Sequence, residues 1–275
     1  MRRITYFIAT NLGIMVVLGI VFALLPKELV GNNAGVIIWA VVAGFAGSII
    51  SLFMSKSMAK RMAGIQIIET PRTETEQWLV TTVARQAEAA GIGMPEVGIF
   101  DTPAMNAFAT GANKNNALVA VSTGLLRNMT PEEAEAVMGH EIAHVANGDM
   151  VTMALIQGVV NTFVLLLARG LALVIDRDGR GIGYFVGFMV GQVVFGFLAS
   201  IVVSYFSRQR EFRADVGGAE YASTQNMIGA LERLKQGQAG ELPNQLAAFG
   251  INSSVKKLFS THPPLEQRIE ALKNR

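Results

Sequence analysis

A chain of 275 residues that is 51% hydrophobic and only 16% charged falls well below the roughly 25% charged residues of soluble domains, so part of it belongs in a membrane. Its formal net charge of +2 is too small for a nucleic-acid partner, and its basic residues cluster beside apolar runs, as membrane-flanking charges do. The absence of cysteine excludes disulfides and thiolate metal sites, so a zinc ion could be held only by nitrogen and oxygen.

From the N-terminus, residues 4–25 are the first of four apolar runs able to cross a bilayer, a crossing that takes about 20 residues. The run is too long for a signal peptide, and no small-residue cleavage site follows it. Residues 34–54 make the second run, so that 1–54 is predicted to be a membrane hairpin. The next segment, 55–150, is polar. Within it, 75–92 have helical spacing through Trp78, Leu79, Val83 and Ala87, ending near Gly91. Residues 96–100 and 116–126 are β-branched-rich and are predicted strands, joined by a strand and turn over 105–116.

A helix is then predicted to start at Thr130, an N-cap followed by Pro131 and a capping-box Glu133, and to end at Gly148, with Asp149 capping the next helix. It carries "GHEIAH", which places His140 and His144 one turn apart on one face, where both imidazoles can reach a single ion. Glu141 lies about 100° further round. Its carboxylate can reach a water at that ion without being a ligand.

The third and fourth apolar runs, 151–175 and 182–206, are separated only by "DRDGRG" and read as a second membrane hairpin. Gly183, Gly187 and Gly191 recur every four residues, a pattern that lets another helix approach closely. Gln157, Asn161, Arg169 and Gln192 would be costly in lipid without partners, so this hairpin is expected to sit partly against protein. Arg2 and Arg3 before the first run, Lys56, Lys60 and Arg61 after the second, and Arg208, Arg210 and Arg213 after the fourth place the polar segments 55–150 and 207–275 in the cytoplasm. Arg177 and Arg180 in the hairpin link disagree weakly.

A catalytic zinc site takes three protein ligands and keeps one position for water. The third ligand is either His262 or an acid of "SRQREFRAD", where Glu211 and Asp215 are four residues apart. A hairpin crosses twice, so this acid cluster returns to the side of the membrane that holds the two histidines. With Glu211 as ligand, Asp215 can accept a proton from a ligand histidine's far nitrogen. Both acids could instead be helix-surface carboxylates, Glu211 paired with Arg208 or Arg210.

"GHEIAHVANGDM", "SRQREFRAD", "NAFATG" and "THPPLEQRI", with four apolar runs in this order, resemble the HtpX family of membrane zinc metalloproteases, relatives of the CAAX prenyl endopeptidases with a gluzincin core. The resemblance covers essentially the whole chain. It implies a mainly α fold with a small β-sheet (an α+β gluzincin-type catalytic domain) plus four transmembrane or membrane-associated helices. It also implies one Zn2+ per chain, on His140, His144 and Glu211, with Glu141 as the catalytic glutamate and Asp215 bonded to a ligand histidine. Asn106, Ala107, Phe108 and Ala109 match the edge strand that pairs with substrate, His262 a residue near the active site, and Arg268 a possible support.

The implied activity is endoproteolysis of misfolded or damaged membrane proteins at cytoplasmic segments, a stress response of the bacterial inner membrane. The bilayer and other membrane quality-control proteases are the further partners implied. Two alternatives stay open. One is a site-two-type intramembrane zinc protease, against which the glutamates of "TPEEAEAV" argue. The other is a zinc-containing membrane adaptor without catalysis.

Overall fold

The computed structural model describes residues 34–179, 181–239 and 260–275. The first expected span, 4–25, lies outside the described residues. Among these, three helices are long and apolar enough to cross a membrane: α1 (Ala34–Met62), α5 (Asp149–Ile175) and α6 (Ile182–Tyr221). The described residues fall into two compact units. One lies within Met1–Leu52 and Val151–Phe206, the other within Phe53–Met150 and Ser207–Arg275.

In the first unit, small residues set the helix spacing. A Cβ added at Gly191 of α6 would lie 2.6 Å from Ala168 Cα of α5, and one at Gly187 would lie 3.0 Å from Ala172 Cα. Of the polar groups expected to need partners here, Gln157 Nε2 donates to Asn161 Oδ1 at 2.8 Å and Asn161 Nδ2 to Gly44 O at 3.4 Å, whereas Arg169 Nε on α5 and Gln192 Nε2 on α6 are buried without a hydrogen-bond partner among the described residues. Half of the most apolar stretch of α5 is buried in protein, against 11% of that of α6. Only α5 therefore sits against protein to the extent anticipated for both. The outer face of α6, with Phe185, Val193 and Phe197, is exposed.

The second unit carries a four-stranded sheet in the order β1 (Gln66–Ile67), β2 (Glu96–Phe100), β4 (Asn116–Ser122), β3 (Ala107–Asn113). β2 and β4 run parallel, the other pairs antiparallel, and β3 forms one edge. The predicted strand over 116–126 stops at Ser122. There the buried hydroxyl accepts the Leu125 N–H at 2.9 Å and turns the chain into the short helix α3 (Thr123–Asn128). β1 has no signature in the sequence, since two residues leave no pattern to read.

Helices α2 (Glu74–Ala90) and α4 (Pro131–Asn147) cover the sheet. Leu79 and Val83 of α2 and Met138 and Ile142 of α4 meet Val97, Val119 and Val121 in one buried cluster. Each such side chain contributes roughly 1.5–3 kcal/mol over its exposed state. A second cluster joins α4 through Ala134 and Val137 to Met227 and Leu231 of α7 (Thr224–Ala239) and to Ile269 and Leu272 of α8 (Leu265–Lys273). Packed between these two clusters, α4 is the platform of the unit.

Candidate functional site

The ends of α4 are built as its sequence specifies. Thr130 Oγ1 accepts the Glu133 N–H at 3.3 Å, and Glu133 Oε2 accepts the Thr130 N–H at 3.0 Å. Pro131 opens the helix, and Gly148 closes it in the left-handed region at φ 70°. On the face between these caps, the His140 and His144 rings meet edge to face, centroids 4.7 Å apart at 88°, with their Nε2 atoms 3.1 Å from each other.

α6 brings Glu211 to these two nitrogens. Its Oε1 lies 3.3 Å from His144 Nε2 and its Oε2 3.6 Å from His140 Nε2. A close helix crossing makes this possible. A Cβ at Gly217 would sit 2.4 Å from Ala143 Cβ, and one at Gly218 would sit 3.0 Å from Ala136 O and 3.1 Å from His140 N. Side chains at these two positions would hold α6 away from α4.

One ligand atom from each of His140, His144 and Glu211 can be drawn into a group whose members all lie within 4.8 Å of one another. Two nitrogen donors and a carboxylate suit zinc. Glu211 is 3% exposed, and its Oε2 has no hydrogen-bond partner, although His262 Nδ1 approaches to 2.8 Å outside hydrogen-bonding geometry. A buried carboxylate oxygen without a hydrogen bond beside two imidazole nitrogens fits a cation. The electrostatics agree. Burial works against a charged His140, but the Asp215 and Glu211 carboxylates beside its ring prevail and raise its pKa. His144, likewise opposed by burial, is raised to about 10 by hydrogen bonds to Asp149 and Glu211 and by the charge of Glu141. The pocket favours positive charge.

Behind the two Nε2 atoms, each ring has an acid at its Nδ1. Asp215 Oδ1 lies 3.0 Å from His140 Nδ1. Arg268 of α8 grips the same carboxylate with a fork, Nε to Oδ2 at 2.8 Å and Nη2 to Oδ1 at 2.5 Å, and its Nη1 lies 3.4 Å from Glu211 Oε2. The acid on His144 is Asp149, whose Oδ2 lies 2.7 Å from Nδ1. Sequence reasoning had Asp149 capping the next helix and missed this contact. The available signal was an acid directly after the C-cap glycine, five residues past the second histidine of the pair.

Glu141 faces the sheet edge, where its Oε2 accepts the Ala109 N–H at 2.9 Å. Asn106, just before β3, has its main chain turned inward: its N–H donates to Ser122 Oγ and its carbonyl accepts the Ser122 N–H. The alternation of an antiparallel pair then turns the main-chain groups of Ala107 and Ala109 to the open edge and those of Phe108 to β4. Phe108 also meets the Phe100 ring, centroids 5.5 Å apart. Since the Ala109 N–H is taken by Glu141, the backbone groups of this segment turned to the open edge and left for a ligand strand are those of Ala107 and the Ala109 carbonyl. His262 is 64% exposed at its side chain and stands at the mouth. A cavity of about 610 Å³ opens among His140, Glu141, Glu211 and His262 and runs to an apolar wall that includes Val137, Met227 and Leu231.

The profile of peptidase family M48 matches residues 73–275, the stretch that contains every residue of this site. Along 99% of its length the chain is 57% identical to a Protease HtpX homolog of Thiobacillus denitrificans, covering 99% of that relative. Along 98% it is 56% identical to Protease HtpX of Stenotrophomonas maltophilia, covering 97% of it. In fold it is similar to the crystal structure of S. mikatae Ste24p, with a TM-score of 0.67 at 18% identity. That match covers 98% of this chain and 66% of the Ste24p chain. With near-complete coverage at this identity and the family profile spanning both halves of the site, the chain belongs to peptidase family M48, among the HtpX membrane metalloproteases.

Proposed function

We propose that this chain is a zinc endopeptidase that cleaves locally unfolded segments of damaged or misfolded membrane proteins on the cytoplasmic face of the bacterial inner membrane. The observation that carries the reading is the convergence of His140, His144 and Glu211 beside a glutamate that faces an open sheet edge. His140, His144 and Glu211 would hold one zinc ion, which supplies a Lewis acid for the scissile carbonyl and a water acidified towards ~7. Glu141 takes the proton of the attacking water and returns it to the leaving amine.

An extended substrate pairs with the outward main-chain groups of Ala107 and the Ala109 carbonyl, and Asn106 contributes its side chain. Backbone recognition of this kind reads no sequence and requires an unfolded segment. The apolar end of the cavity accepts a bulky apolar side chain next to the cleaved bond, a residue type that folded proteins conceal and damaged ones expose. His262 at the mouth stabilises the oxyanion, and Arg268 keeps the Asp215–His140 pair in place. An intramembrane site is disfavoured because α4 packs on a sheet and carries Glu132, Glu133 and Glu135 in its first turns.

The test is cleavage of casein by the detergent-purified, zinc-loaded protein. Glu211→Ala should lose zinc and cleavage together. Glu141→Gln should keep zinc while cleavage falls by a factor on the order of 10² to 10⁴. Full cleavage by Glu141→Gln would remove that residue as the base. Zinc retained by Glu211→Ala would move the third ligand to His262.

A further inference from the structure

We infer that Asp149 is a positioning residue of the metal centre, fixing the tautomer and orientation of the His144 ring so that Nε2 is presented to the cation. The inference rests on the zinc reading above and adds to it a residue that neither the motif nor the family resemblance assigned.

Three observations carry it. The Oδ2–Nδ1 separation of 2.7 Å is in the range of a charge-assisted hydrogen bond. Asp149 is 3% exposed, so its carboxylate has little water to turn to and His144 is its polar partner. Its main chain is tied as well: Arg210 Nη1 donates to the Asp149 carbonyl at 2.8 Å. Arg210 directly precedes Glu211, so the helix that supplies the carboxylate ligand also sets the place of this acid. Gly148 at φ 70° makes the approach possible by turning the chain back on the last turn of α4.

The chemistry follows from imidazole. A carboxylate at Nδ1 keeps the proton on that nitrogen, which leaves the Nε2 lone pair for a metal and makes it more basic. Asp215 does the same for His140. The two ligand rings are thus held by acids from two different helices, α5 and α6.

The experiment compares zinc affinity of the full-length protein in detergent by competition with a chromophoric chelator. The variants are Asp149→Ala, Asp149→Asn and Asp149→Glu, each with its helical circular dichroism recorded. Arg85→Ala serves as control, because it breaks only the exposed ion pair with Glu135 on α4. Asp149→Ala is expected to bind zinc about 10- to 100-fold more weakly, with Asp149→Asn and Asp149→Glu in between and Arg85→Ala unchanged. Should Asp149→Ala fold poorly, Asp149→Asn, which keeps size and helix start, carries the comparison. Wild-type affinity in both Asp149→Ala and Asp149→Asn overturns this inference and leaves the zinc reading standing. A wild type that takes up no zinc overturns the zinc reading and this inference with it.

Discussion

Arg268 illustrates how single side chains hold this site. It is buried, and burial alone would discourage its charge, yet the hydrogen bonds and charge of Asp215 more than compensate and raise its pKa. Its planar fork matches the carboxylate in a way that a lysine's point charge cannot. Removing one partner of a buried pair costs about 3–5 kcal/mol, because the other charge is left without water or counter-ion. Arg268→Met should therefore lower unfolding stability by roughly that amount, with Arg268→Lys recovering only part of it. A denaturant midpoint for Arg268→Met equal to that of the wild type would show that Asp215 does not depend on the arginine. His140, Glu141 and His144 were legible from their spacing alone, since one helical turn is a local property. Arg268 could only be guessed as a support, because nothing near it in the chain points to Asp215.

At the level of elements, the site is a crossing of α4 and α6 at glycine. Glycine in a helix interior costs roughly 0.5–1 kcal/mol against alanine, so the pair Gly217–Gly218 needs a packing reason. The backbone of α4 supplies it, with Ala143 in the way of any Cβ at Gly217. Gly217→Val is expected to push α6 off α4 and carry Glu211 out of reach, weakening zinc binding at least about tenfold while helix content persists. Gly196→Ala is the contrast. A Cβ there meets nothing within 4 Å among the described residues, so zinc affinity should stay unchanged and the gain in helix propensity should be neutral to slightly stabilising. Equal zinc affinity in Gly217→Val and wild type would show that the crossing tolerates a wider spacing. The every-fourth-residue glycines of α6 are legible as packing positions, and Gly187 and Gly191 do lie against α5. Gly217 and Gly218 are not legible, because a lone pair shows no period.

For the whole molecule, the proposed orientation can be tested cleanly because the chain has no cysteine. Lys114, exposed at the turn between β3 and β4, is a suitable place for one. In intact cells Lys114→Cys should resist a membrane-impermeant maleimide and react once the cells are permeabilised. Labelling without permeabilisation would place the sheet on the outer side. The sequence by itself determined the features whose physics is local: apolar runs long enough for a bilayer, the capped helix with its two histidines, and the class of fold around a small sheet. It also narrowed the third ligand to His262 or an acid of the Glu211–Asp215 pair, and the family resemblance favoured Glu211. Only the tertiary structure decided what depends on residues distant in the chain. It brought Glu211 to the two imidazoles across the α4–α6 crossing. It gave Asp149, the first residue of α5, the His144 ring as a partner, and it set β3 at the sheet edge with Ala109 against Glu141. Such contacts arise when packed elements meet, and the energy that fixes them lies in the packing rather than in the propensity of any single segment.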